Sequence, residues 1–112
     1  PSVILALSDE LTRLGLPVAH AEYAPVSDRP LSVNLQMLQN LGAAALAYVV
    51  VDLPKKAATV TFFDPSGRSL AEIETQARWA YPESDLIDKL TRGLVKKLPE
   101  HQARLADLMV QP

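Results

Sequence analysis

Residues 38–51, LQNLGAAALAYVVV, change character at Gly42, and that change decides the fold. Before it, Leu35, Leu38 and Leu41 recur at helical spacing behind Ser32, a residue type that caps helix starts. Gly42 stands where a helix needs a left-handed residue in order to stop. Beyond it, residues 43–51 form an apolar run ending in Tyr48, Val49, Val50 and Val51, dense in β-branched side chains and lacking a polar face. Such a run predicts a strand buried on both sides, the central strand of a sheet.

Working toward the N-terminus, Ile4, Leu7, Leu11 and Leu14 mark an amphipathic helix over residues 2–14. Gly15 closes it as Gly42 closes the next, and Pro17 cannot prolong it. Residues 18–23 alternate as a short strand, with Val18, His20 and Glu22 on one face. Residues 24–30 hold Pro25 and Pro30 with Ser27 and Asp28, a loop composition. A strand, a helix and a second strand over residues 18–51 predict a right-handed crossover joining two parallel strands.

Working toward the C-terminus, residues 52–56 form a turn and residues 59–63 alternate polar and apolar. Asp64-Pro65-Ser66-Gly67 then has Pro at i+1 and Gly at i+3 of a type I turn, the strongest hairpin signal in the chain. Ala71, Ile73, Thr75, Ala77 and Trp79 share one strand face, while Glu72, Glu74, Gln76 and Arg78 share the other. Pro82 and Ser84 introduce a helix whose stripe is Ile87, Leu90, Leu94 and Leu98. Pro99 is expected to stop it, leaving residues 100–110 as a separate short helix. The expected architecture is one α/β domain over residues 1–99, a three- to four-stranded mixed sheet packed by helices, followed by a short helix or linker over residues 100–112.

Composition agrees with one such domain. The chain has 112 residues, 48% hydrophobic and 21% charged, the balance of a folding chain rather than a disordered one. Eleven basic against thirteen acidic side chains leave a net charge of −2, so no bulk positive field draws in nucleic acid or an anionic membrane. The absence of cysteine excludes disulfides, thiol catalysis and Cys-ligated metal sites. The apolar run ending at Val51 is too short to cross a bilayer as a helix.

Candidate chemistry is sparse. His20 and His101 fall on different elements with no companion ligand at a metal-binding spacing. Asp52 and Asp64 could meet at the hairpin ends, but each has the position of a turn former. Glu72 and Glu74 share a face that continues through Gln76 and Arg78, which reads as a solvated sheet surface. Lys55, Lys56, Arg68, Arg92, Lys96 and Lys97 lie scattered over a turn, a hairpin and a helix. No phosphate loop, nucleophile elbow or paired acids at glycosidase spacing is found. Catalytic, metal and cofactor residues are therefore assigned to none.

Pro1 resembles the amine base of tautomerases similar to macrophage migration inhibitory factor. That family opens on a strand, whereas residues 2–14 here have helical period.

The order of elements resembles the anticodon-binding-like α/β fold. The runs over residues 11–18 and 38–43 are similar to the tRNA-reading domain of some class II aminoacyl-tRNA synthetases. Gly42-Ala43, Val49-Val50-Val51, the run over residues 63–68 and that over residues 86–90 resemble a bacterial envelope group. This group comprises the TolB N-terminal domain and lipoproteins like CsgG. Ala44-Ala45-Leu46 replaces the polar residue usual after Gly-Ala there, and no lipidated cysteine is present.

The envelope resemblance implies a non-enzymatic protein-interaction module of an envelope or secretion complex. It implies a periplasmic location, protein partners or self-assembly, and no nucleic acid. Membrane association would be restricted to a lipid anchor lost with a leader. The alternatives are a cytoplasmic tRNA-binding domain and a Pro1-dependent tautomerase. The expected contact surface is the proline-broken loop with Val26, Ser27, Asp28 and Arg29, together with the strand face around Arg78.

Overall fold

A computed structural model describes residues 2–16, 18 and 31–110. Helices α1 (Ser2–Arg13) and α2 (Leu31–Leu41) precede strands β1 (Leu46–Asp52), β2 (Ala57–Phe63) and β3 (Ser69–Gln76), and helix α3 (Glu83–Val110) follows. Both short helices end as expected, with Gly15 at φ 84° and Gly42 at φ 67°. Leu16 N–H donates to the Leu11 carbonyl and Gly15 N–H to Thr12, and Ala43 and Gly42 repeat the pattern on Leu38 and Gln39. Each stop is thus a Schellman motif, which satisfies carbonyls the helix leaves unpaired.

The three strands form an antiparallel sheet in the order β1-β2-β3. An α/β fold with a three-stranded sheet packed by helices is therefore present. The central strand among the described residues is β2, not the run at residues 43–51. Ala58, Val60 and Phe62 of β2 are almost wholly buried and alternate with half-buried neighbours.

In β1, which starts only at Leu46, no residue is fully buried and Val50 is 41% exposed. The apolar run supplies two faces of different character: Ala47, Val49 and Val51 pack on the core. Tyr48, one residue out of phase, meets Phe63 edge-on at 6.4 Å between ring centroids. Every described strand pairing is antiparallel. Of the expected strand at 18–23, Val18 is not in a strand and the remainder lies outside the described residues.

The hairpin after β2 turns through Asp64 to Gly67, where Gly67 N–H donates to the Asp64 carbonyl at 2.9 Å. Phe62 pairs with Ala71 but Phe63 with Ser69, so Leu70 is an extra residue in a bulge. The bulge re-aims Leu70 into the core. Farther along, the expected strand face ending in Trp79 stops short at Gln76. The last bond is from Ala77 N–H to the Lys56 carbonyl at 2.8 Å. Beyond it β2 offers no partner, and the chain bends.

Helix α3 corrects two further expectations. Pro99 lies inside it, and residues 100–110 continue the same helix rather than forming a second one or a linker. An interior proline costs ~3 kcal/mol through its missing N–H and its clash with the carbonyl four residues back. Leu105, at 0% exposure, is buried in the same core as Leu94 and Leu98, and burying one such side chain contributes about 1.5–3 kcal/mol. Gln102 adds a hydrogen bond from its Nε2 to the Leu14 carbonyl at the end of α1, 2.9 Å long. Packing against α1 thus offsets the proline, and the core runs across the boundary expected at residue 99. The buried stripe also starts at Leu86, with Ile87 only half-buried.

Candidate functional site

Of the residues expected to meet a partner, Val26, Ser27, Asp28 and Arg29 lie outside the described residues. Arg78 is exposed, but it sits in the bend after β3 and not on a strand face. The face that does continue along β3, through Glu72, Glu74 and Gln76, is exposed. It lies opposite Thr61, Thr59 and Ala57 of β2 in register.

Asp52 and Asp64 do not meet. Asp52 pairs with Ala57 at one end of the β1–β2 ladder, whereas Asp64 follows Phe63 at the other. Each serves a turn. Asp52 Oδ1 accepts from Lys55 N–H at 3.1 Å. Asp64 Oδ1 accepts from Ser66 N–H at 2.9 Å, Ser66 Oγ at 2.6 Å and Arg68 N–H at 3.0 Å. The Ser66 hydroxyl first, then the Arg68 and Ser66 amides and the nearby Arg68 charge, hold its carboxyl below the ordinary value of 3.8. These are the donors of a turn.

Several of the scattered cations are engaged locally. Arg68 pairs with Asp64 at 3.6 Å and Arg92 with Asp88 at 3.5 Å. Lys97 Nζ donates to the Glu74 carbonyl. Arg92 and Lys96 rim a groove of about 400 Å³ between α1 and α3, with Ala6, Thr91 and Val95 as its apolar and part-polar walls. His101 is half-buried on α3, and among the described residues no cluster of three metal-ligating side chains exists.

A different group converges where β3 ends. Arg78 and Lys89 line one pocket of about 210 Å³ together with Thr75, Gln76, Ala77 and Tyr81. Lys89 Nζ stands 5.5 Å from the centroid of the Tyr81 ring, within cation–π range. The turn carrying Lys55 and Lys56 is tied to the same strand end. Gln76 Nε2 donates to the Lys55 carbonyl at 3.4 Å and Ala77 N–H to that of Lys56. Next to Arg78 in the chain, Trp79 is 65% exposed, the largest exposure among the described large hydrophobic side chains.

In the sequence Trp79 belongs to the alternating strand face and no motif marks Lys89. The signal that could have found this corner is the length of β2. A partner strand starting at Ala57 cannot pair β3 past Gln76, so Arg78 and Trp79 must leave the sheet together.

No helix among the described residues is long and apolar enough to cross a membrane. No family model, no curated protein and no solved structure matches this chain.

Proposed function

We propose that this chain is a non-enzymatic protein-interaction module that docks its partner at the corner where β3 ends. The observation that carries the reading is Trp79. A large aromatic ring left 65% exposed beside Arg78 and a shallow pocket has the composition of an interface anchor, since Trp and Arg are enriched where binding energy concentrates. Leaving such a ring in water costs solvation free energy that a partner's surface recovers. Asp52 and Asp64, the two acids that could have met at the hairpin ends, are each occupied in a turn.

The envelope or secretion setting, with its periplasmic location, rests on the resemblance alone. That resemblance asks for an interior strand at residues 43–51, and β1 has a single neighbour among the described residues. The exposed corner is the support for a docking role.

The test replaces Trp79 with a photoreactive phenylalanine in the source cell, with exposed Leu5 on α1 as the control position. A discrete adduct with one protein, formed at position 79 and not at 5, is the expected result. Adducts to tRNA would instead favour the anticodon-binding alternative. Absence of any discrete adduct at position 79 would contradict the module.

A further inference from the structure

The corner at the end of β3 carries cations although the chain as a whole is acidic. The net charge is −2, yet Arg78 and Lys89 share a pocket with Tyr81, Trp79 follows Arg78 in the chain, and the turn carrying Lys55 and Lys56 is tied by its carbonyls to the same strand end. Among the described residues none of these side chains is paired with a carboxylate. Asp52, the acid nearest the turn, accepts from the Lys55 backbone N–H.

We propose that this corner recognises a short acidic segment of a protein partner, its carboxylates meeting Arg78, Lys89, Lys55 and Lys56 and an aromatic or apolar side chain lying on Trp79. The inference rests on the reading of the chain as an interaction module and adds the chemistry of the partner. Charge complementarity selects an anion, and the exposed indole selects one that carries apolar surface.

The surroundings set its length. Glu83 and Asp85 are exposed on the first turn of α3, and Glu72 and Glu74 are exposed on β3. Along the chain these acids stand on both sides of Arg78. A nucleic acid tracks a continuous positive path with many phosphates, and the elements that lead into and out of this corner expose carboxylates instead. A segment of a few residues does not.

The test uses the whole chain and a synthetic peptide with one phenylalanine flanked on each side by glutamates. Trp79 is the chain's one tryptophan, so its emission reports the site directly. The peptide is expected to shift that emission and to bind more weakly as salt is raised. Joint replacement R78E and K89E should weaken it about tenfold, whereas K96E on the α1–α3 groove should leave it unchanged.

No shift with the peptide, or equal binding by the charge-reversed variant, would overturn the inference. Tighter binding of single-stranded oligothymidylate would overturn it in favour of nucleic acid. The two readings fail separately. A protein adduct at position 79 that persists in the charge-reversed variant sinks the acidic partner and keeps the module, whereas loss of every adduct at 79 in the unaltered background sinks the module.

Discussion

A Cβ built on Gly93 would stand 2.3 Å from Thr75 Oγ1. Helix α3 therefore rests on β3 backbone to side chain at this point, with no room for a methyl group between them. The contact sets how closely α3 approaches the strand whose end carries Arg78, and so it helps to form the pocket that Arg78 shares with Lys89.

Gly93→Ala should destabilise the fold although alanine is the better helix former by ~1 kcal/mol. Threonine is short and stiff about χ1, so it cannot swing away, and overpacking of this kind costs about 1–3 kcal/mol. Urea unfolding should show a lower midpoint for Gly93→Ala and partial recovery when Thr75→Ala is added, a coupling that distant sites would not show. An unchanged or raised midpoint for the single variant would mean that α3 sits farther from β3.

Lys56 holds φ 53°, the only non-glycine residue with positive φ among those described. A left-handed residue with a Cβ costs about 1–2 kcal/mol, part of which glycine gives back through its freedom in the unfolded chain. Lys56→Gly is accordingly expected to stabilise by about 0.5–1 kcal/mol in chemical denaturation. A loss of stability would show that the turn is not left-handed at this residue.

The Asp64 turn makes stability depend on acid. Its carboxyl is held below 3.8 in the folded chain, chiefly by the Ser66 hydroxyl. A lowered folded value means that the contribution is complete above the unfolded value and is lost as pH falls through the folded one. Asp64→Asn keeps an acceptor but no charge. The stability of the parent relative to this variant should therefore be constant at neutral pH and decline once the pH drops below 3.8. A gap that stays constant through that range would contradict the assigned bonds.

Pro99 and Leu105 test the length of α3 together. Pro99→Ala should raise stability by up to ~3 kcal/mol, because it restores the N–H and removes the ring clash. Leu105→Ala should cost about 2–5 kcal/mol as a fully buried side chain is removed. If residues beyond 99 were a separate linker, thermal unfolding would register neither change.

Local chemistry was readable from residues that act on their near neighbours. Gly15 and Gly42 announced their helix stops, Asp64 to Gly67 announced the turn, and the alternation of Val60, Phe62 and Ile73 announced the buried face. What failed depended on distant partners. Pro99 reads as a stop unless Leu105 is known to find a place in the core and Gln102 to reach Leu14. The Val49-Val50-Val51 run reads as doubly buried unless its outer face is known to be open at Val50. Lys55 and Lys56 read as scattered, Arg78 as part of a strand face and Lys89 as an unmarked helix residue. The tie between the Lys55–Lys56 turn and the end of β3 follows from the β2–β3 register, and the Arg78–Lys89 pocket from the close seating of α3 at Gly93.

The most direct check on the docking surface is the fluorescence of Trp79 in the isolated chain, with acrylamide as quencher. The account predicts a water-like, red emission that acrylamide quenches nearly as efficiently as it does free tryptophan. A blue-shifted emission protected from the quencher would mean that the indole is already covered, and the surface assigned to a partner would not exist.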